Sequence, residues 1–161
     1  MSSYSNPTST TVAQTRYIAI VHPCDDGGVA GYSGTPFARK LGVTPGATVL
    51  LDGAPDSFSL DAEQASVRRR VGAGPYDVIV CFCTTRERLA ARWASLHPRT
   101  TPAGALWIAW PKRTSGVPTD LNENVVRDFA LGHGRVDVKV CAIDDVWSGL
   151  KHVIRLTDRP H

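Results

Sequence analysis

The sequence predicts a small three-layer α/β domain whose sheet is mostly parallel, with one antiparallel strand towards the C-terminus. Short unbroken apolar runs, of which residues 105–110 are the clearest, are typical of strands covered on both faces. Segments with helix-capping residues separate these runs, and an alternating, hairpin-like pair of segments closes the chain. The 161 residues favour a single domain, which we expect to span residues 16–161.

The N-terminal part of the chain combines a polar tail with one short helix. Residues 1–15 are rich in Ser, Thr and Asn and predict a disordered tail, and residues 16–21 suggest a first strand. Residues 22–28 contain a His, a Cys and two Asp, a composition that suits a turn better than a metal site. Thr35 predicts the N-cap of a short helix that Gly42 ends. The glycines before this helix are either an anion cradle or simply a helix start.

The middle of the chain predicts two strands, each followed by a helix. Residues 46–51 form the first strand, and the DGAP turn at residues 52–55 lacks the GxGxxG pattern that lets a backbone approach phosphate. Residues 59–71 predict a helix ending in three arginines, which suit the negative end of the helix dipole. Residues 76–83 form the next strand, and Thr84 begins a capping box for the helix after it.

The C-terminal half predicts a third strand and helix and then two paired strands. Proline ends the strand at residues 105–110, and Asp120 begins a second capping box. Residues 135–143 alternate in polarity, as in a strand near a sheet edge. Residues 144–149 predict a turn, and residues 150–156 alternate again.

This order of elements predicts where a ligand site would lie. With right-handed crossovers, the carboxyl ends of parallel strands meet along one rim, and ligands bind beyond that rim. A solvent-exposed loop between a strand and a helix, with no ligand, explains the basic residues at this rim equally well. The candidate ligand-binding residues are Asp52, Thr84, Trp110, Lys112, Arg113, Ser115, Asp144, Trp147 and Lys151.

Composition limits the partners. The formal net charge of +3 favours an anionic ligand but falls well short of a nucleic-acid-binding stripe, so nucleic acid is not expected. No spacing of Cys and His fits zinc, and no metal is predicted. Cys81 and Cys83 would lie roughly 6–7 Å apart along a strand, a poor spacing for a disulfide, and we expect reduced, buried thiols in a cytoplasmic protein. Neither a signal peptide nor an apolar stretch approaching ~20 residues is present, so no membrane association is expected.

Signatures of common catalytic sites are missing. No GxSxG motif occurs. His152 lies on a predicted strand and is a core residue or a general base, with the core role favoured. Asp144 and Asp145 form a carboxylate pair, but Asp is common in turns. We therefore predict no cofactor and assign no catalytic residue.

Several segments carry a resemblance to known proteins, namely GYSGTP, GALWIAWPK, SGVPTDLNENVVR and VDVKVCAIDDVWSGLKHV. Over roughly residues 31–155 the chain resembles an uncharacterised, mainly actinobacterial family, which implies no catalytic residue. More distantly, the order of elements resembles a pared-down class I methyltransferase with its final hairpin, which implies a Rossmann-like fold. The glycine motif of that family is missing, and residues 55–76 leave no room for the two strands that normally follow. We therefore do not expect S-adenosylmethionine to bind in the usual way.

These observations favour a Rossmann-like domain that binds a small molecule or acts in regulation without catalysis, with a degenerate cofactor site. The alternative is an enzyme that acts on an anionic small molecule at the rim through Lys112 or Asp52. A third hypothesis is an interaction module with Trp110 and Trp147 as exposed anchors. The partner is then a small anion or a protein, and a homodimer is left open.

Overall fold

The computed structural model describes residues 36–160. The predicted tail at residues 1–15, the strand at residues 16–21, the loop at residues 22–28 and the Thr35 cap lie outside the described residues.

A six-stranded sheet forms the centre of the molecule. Its strands, in chain order, are β1 (Thr48–Asp52), β2 (Ser66–Arg68), β3 (Tyr76–Phe82), β4 (Thr100–Pro111), β5 (Val136–Ala142) and β6 (Trp147–Val153). The order across the sheet is β2-β1-β3-β4-β6-β5. Strands β2, β1, β3 and β4 are parallel neighbours, and β6 runs antiparallel to both β4 and β5. The predicted mostly parallel α/β sheet with a C-terminal antiparallel strand is confirmed.

Helices cover both faces of this sheet and make the three predicted layers. They are α1 (Phe37–Leu41), α2 (Arg86–Leu96) and α3 (Glu123–Gly132). Successive residues of a strand point to opposite faces, so each strand contributes to two separate cores. Helix α1 packs with one face, where Trp107 of β4 is fully buried. Helices α2 and α3 pack with the other face, against Ile79, Leu106 and Ile108.

A side-chain hydrogen bond of Trp107 connects helix α1 to the sheet. Its indole Nε1–H donates to the carbonyl oxygen of Leu41 at 2.9 Å. Gly42 follows with φ of 85°, the left-handed conformation that glycine adopts at helix ends without strain. The helix begins at Phe37, with Pro36 in an extended conformation before it. The predicted short helix ended by glycine is thus present.

The helix predicted at residues 59–71 is wrong. The segment contains irregular turns and then β2, which pairs with the edge of β1. Gln64 has φ of 65°, which ends any helix, and Val67 is 37% exposed and belongs to no buried stripe. Strand β1 offers backbone groups along its open edge, and pairing with β2 satisfies them. The segment between residues 55 and 76 therefore contains one short strand in place of the predicted helix, and not the two strands for which no room was expected.

Both predicted capping boxes lie one or two residues from the observed caps. Helix α2 is capped by Thr85, whose hydroxyl accepts from the Arg88 N–H at 3.1 Å, and not by Thr84. Helix α3 is capped by Asn122, which accepts from the Val125 N–H at 3.0 Å. Adjacent polar residues can each serve as a cap, and tertiary contacts decide between them.

The closing hairpin is tighter than predicted. Asp144 accepts hydrogen bonds from the N–H groups of Val146 and Trp147, each at 2.8 Å. This side-chain turn lets β6 begin at Trp147, so Trp147–Gly149 belong to the strand and not to the turn. Strand β5 is an edge strand, as its alternating pattern predicts. Among residues 36–160, no helix is both long and apolar enough to span a lipid bilayer.

We predict that Gly149→Ala destabilises the fold. A Cβ atom at Gly149 would lie 2.8 Å from Cδ1 of Ile143 and 3.3 Å from Cε3 of Trp107, both in the core. Such overpacking costs about 1–3 kcal/mol of unfolding free energy, measured by urea denaturation. The matched control is Gly132→Ala in the last turn of α3, where a Cβ meets nothing within 4 Å. Equal stabilities of the two variants would contradict this packing.

Candidate functional site

The rim at the carboxyl ends of β1, β3 and β4 contains the topological switch point of the sheet. The chain leaves β1 to form β2 on one side of it and then crosses to form β3 on the other side. In open α/β sheets a ligand crevice forms where neighbouring connections diverge in this way. The residues that end β1 and β3 therefore define the candidate site.

Asp52, the last residue of β1, is held in a partly buried ion pair with Arg92 of α2. Its side chain is largely buried, and Arg92 Nε donates to Asp52 Oδ2 at 2.7 Å. The Arg92 Nη2 group contacts the second carboxylate oxygen, so the pairing is bidentate. The hydrogen bond that Arg92 donates to Asp52 raises the pKa of Arg92. Both carboxylate oxygens are thus already engaged by the chain.

The turn after β1 is filled by a second arginine of α2. A Cβ atom at Gly53 would lie 2.5 Å from Nη2 of Arg88 and 3.2 Å from the carbonyl oxygen of Phe82. Arg88 Nε also donates to that carbonyl oxygen at 3.2 Å. In nucleotide-binding turns a glycine leaves room for the ligand. Here the open side of Gly53 faces the Arg88 guanidinium.

Aromatic side chains fill the opposite face of the same rim. Phe82 lies at the end of β3, and its ring centroid is 5.1 Å from that of Phe58 and 5.1 Å from that of Trp147. Edge-on and tilted ring pairs of this kind stabilise a packed core. Trp147 is therefore half-buried as a packing residue beside β3.

The loop after β4 meets the β5–β6 turn. The Lys112 N–H donates to the carbonyl oxygen of Val146 at 2.7 Å, which brings Lys112 beside Asp144 and Trp147. The Ser115 hydroxyl donates to the carbonyl oxygen of Lys112 at 2.6 Å and is used within its own turn. Within residues 36–160, the Lys112 ammonium and the Arg113 guanidinium have no side-chain partner.

The structure also places the three remaining predicted site residues, Trp110, Thr84 and Lys151. Trp110 is only 7% exposed and packs in the core beneath α2 and α3. Thr84 lies at the rim, and its carbonyl oxygen accepts from the hydroxyl of Thr119 at 2.7 Å. Lys151 lies in the middle of β6, opposite Trp107, and approaches Gly42 at the end of α1. Burial and the neighbouring Lys139 lower the pKa of Lys151.

The sequence interpretation missed the residues that organise the rim. Arg88 and Arg92 lie on α2, which the sequence analysis treated mainly through its apolar stripe. Cys81 lies in β3 and Cys83 directly follows it on the same face, and their sulfurs lie 3.4 Å apart beside Asp52. The sequence analysis used the shared face of these two cysteines, which follows from the i, i+2 spacing on a strand, only to argue against a disulfide. Among residues 36–160, no group of three or more His, Cys, Asp or Glu is arranged to hold a metal ion.

A second set of buried polar groups lies at the other end of β6. His152 is fully buried, and its Nδ1 lies 3.1 Å from the carbonyl oxygen of Leu106, so Nδ1 carries the proton in the neutral ring. Arg135 is also fully buried and donates from Nε to Nδ1 of His97 at 2.9 Å. Its two terminal nitrogens make no hydrogen bond in the described structure, and nothing near them explains this. Burial lowers the pKa of Arg135 to about 10, so it stays charged at neutral pH.

Two cavities lie away from the rim. One, of about 340 Å³, lies between α1 and residues 61–65 and is lined by Ala38 and Val43. The other, of about 480 Å³, lies at the amino ends of β1 and β3 and is lined by Thr48 and Asp77. Neither adjoins the switch point between Asp52 and Phe82.

Comparison with known proteins gives only loose matches. No protein-family model matches the chain, and no curated protein matches it. A solved structure from Thermoplasma acidophilum, assigned as a methyltransferase, matches with a TM-score of 0.44 and 6% identity, over 70% of each chain. The ribosomal protein L11 methylase of Lactobacillus delbrueckii subsp. bulgaricus matches with a TM-score of 0.45 and 12% identity, over 76% of this chain and 74% of that one. Similarities this loose carry no information about activity.

We predict that breaking the rim ion pair costs far more stability than breaking an exposed one. Arg92→Met leaves Asp52 as an unpaired buried carboxylate, which costs about 3–5 kcal/mol of unfolding free energy. The double variant Asp52→Asn/Arg92→Met should recover much of this loss in urea denaturation. The control is Glu123→Gln, which breaks the i,i+4 pair with Arg127 at the surface and costs less than about 1 kcal/mol. Equal losses would contradict the burial of the rim pair.

We also predict that His152 makes the fold less stable in acid. Burial lowers the pKa of His152 to about 4, from an ordinary value of 6.5, although the Leu106 carbonyl and Asp137 act in the opposite direction. Between these two pH values the unfolded chain binds a proton that the folded chain does not, so stability falls as pH falls through this window, by about 3 kcal/mol in total. His152→Asn, which retains a donor for Leu106, should flatten the pH dependence of unfolding between pH 6.5 and 4. An unchanged dependence would be the contrary result.

Proposed function

We propose that this protein is a non-catalytic Rossmann-like domain of the cytoplasm that binds an anionic small molecule in a regulatory role. One observation carries the proposal. The Arg88 guanidinium packs against Gly53 at the turn where a nucleotide cofactor would approach the backbone. The turn at which a cofactor would bind therefore lacks the glycine motif. The Arg88 side chain also fills the space that a cofactor would need.

The polar groups inside the crevice support the same proposal. A general base needs a free lone pair within reach of its substrate. Asp52 directs both carboxylate oxygens at Arg92, so it is poorly placed for the role that the enzyme hypothesis gives it. The enzyme hypothesis then depends on Lys112 alone. We retain it as the second candidate only because the Lys112 ammonium has no side-chain partner within residues 36–160 and borders the rim.

The outer rim provides the charge for an anion. Arg86 donates from its side chain to the Asp120 carbonyl oxygen at 3.4 Å, and Arg88 and Arg92 also bond to chain acceptors. Lys112 and Arg113 are left with donors for a ligand. Nearby carboxylates balance part of this charge, so we expect weak binding that salt screens. The interaction-module hypothesis receives less support because Trp110 is buried.

We predict that adenine-containing cofactors leave the crevice unperturbed. In ¹⁵N-resolved NMR titrations, S-adenosylmethionine, NAD and ATP should not shift the Gly53 amide. Inorganic pyrophosphate, used as a multivalent anion, should instead shift the amides of Arg113 and Gly116, and this response should be lost in Lys112→Gln/Arg113→Gln. The matched control Arg39→Gln/Lys40→Gln removes an adjacent basic pair on α1 and should bind as the wild type does.

Two results would overturn the proposal. A Gly53 shift that saturates with S-adenosylmethionine and is accompanied by methyl transfer would establish an open, catalytic cofactor site. A pyrophosphate response equally weakened by the control variant would show only general charge attraction and would remove the rim as the anion site.

A further inference from the structure

Cys81 and Cys83 form a close pair of thiols at the switch point. Both are fully buried on the face of β3 that α2 covers. Their Sγ atoms lie 3.4 Å apart, in van der Waals contact. A disulfide needs an S–S separation of about 2.05 Å, so the sulfurs must approach by about 1.4 Å. The backbone spacing alone argues against a bridge, but the side chains converge.

The surroundings make the two thiols chemically unequal. Cys81 lies 3.3 Å from Oδ2 of Asp52 and also contacts Cys83, and its single proton can be given to either acceptor. The hydrogen bond to Cys83, burial and the charge of Asp52 raise the pKa of Cys81. The hydrogen bond from Cys81 lowers the pKa of Cys83 against the effect of burial, and the positive charges of Arg88 and Arg92 contribute to this lowering. Cys83 is therefore the nucleophile of the pair, and Cys81 is the thiol that keeps its proton.

We propose that Cys81 and Cys83 are a modification site at which a small hydroperoxide forms a reversible intramolecular disulfide. The Cys83 thiolate attacks one oxygen of hydrogen peroxide, the O–O bond breaks, and Cys83 sulfenic acid and hydroxide form; the hydroxide takes a proton from solvent. The Cys81 sulfur then attacks the Cys83 sulfur and displaces hydroxide, which takes the Cys81 proton and becomes the second water. Two thiols supply two electrons, and one peroxide is reduced to two waters.

The position of the pair determines which oxidant it accepts. Cys83 immediately follows β3, and its N–H bonds to the carbonyl oxygen of Ala109. The next residue, Thr84, is half-buried and Thr85 is exposed, so residues in contact with solvent directly follow Cys83. Hydrogen peroxide, which is small, can reach such a sulfur after a local opening of the strand end, whereas bulky disulfides are excluded. Cys141 lies on the other face of the sheet and takes no part.

The experiment uses the full chain with Cys24→Ser and Cys141→Ala, so that only the pair remains. After treatment with hydrogen peroxide at pH 7.5, samples are alkylated under denaturing conditions and their intact masses are measured. We expect a mass loss of about 2 Da in the unalkylated monomer, loss of both alkylatable thiols, and recovery with dithiothreitol. Peptide mapping should place the bridge between residues 81 and 83.

Further variants test the assigned roles. In Cys81→Ser the oxidation should stop at Cys83 sulfenic acid, which dimedone traps. Cys83→Ser should react with hydrogen peroxide many-fold more slowly. Arg88→Gln should slow disulfide formation several-fold, whereas the control Arg39→Gln on α1 should leave the rate unchanged. Urea denaturation of each variant checks that it is folded. Oxygen adducts or intermolecular dimers in place of the bridge would overturn the proposal. A bridge that forms only in denatured protein, or preferential oxidation of Cys81, would overturn it equally.

Discussion

Strand β4 is buried on both faces, and the rest of the structure depends on this constraint. Residues 105–111 are all buried, with one set of side chains beneath α1 and the other beneath α2 and α3. The strand pairs in parallel with β3 and antiparallel with β6, so it fixes the direction of both halves of the sheet. Because Trp147 pairs with Pro111, the turn before β6 meets the carboxyl ends of the parallel strands at one rim. Loops far apart in the chain become neighbours for this reason.

At that rim the polar groups of the chain satisfy one another. A carboxylate that ends a buried strand needs a counter-charge, because an unpaired buried charge costs several kcal/mol. Helix α2 supplies Arg92 for this purpose, and Arg88 covers Gly53 one turn earlier on the same helix. The inner crevice is therefore occupied by interactions within the chain. The outer side chains of Lys112 and Arg113 have no side-chain partner within residues 36–160 and keep their donors for a ligand, and the thiols of Cys81 and Cys83 lie beside the ion pair.

Strands β1, β3 and β4, and with them the rim at their carboxyl ends, could be predicted from the sequence because continuous apolar runs indicate burial on both faces directly. Strand β2 could not, because three exposed residues on a sheet edge have no hydrophobic pattern, and their pairing depends on the open side of β1. The ion pair between Asp52 and Arg92 joins residues forty positions apart, and no local periodicity indicates it. The thiols of Cys81 and Cys83 have the apolar context of core residues, so only the fold reveals what adjoins them.

The central claim is that α2 closes the crevice between β1 and β3 through its arginines. Its most direct test is the hydrogen-exchange rate of individual arginine Nε–H groups, measured by ¹⁵N NMR. A bonded, partly buried guanidinium exchanges slowly with solvent, whereas a free one exchanges rapidly. We expect strong protection for Arg92, intermediate protection for Arg88 and none for the exposed Arg113. Equally fast exchange of all three groups would show that the crevice is open and would contradict the account.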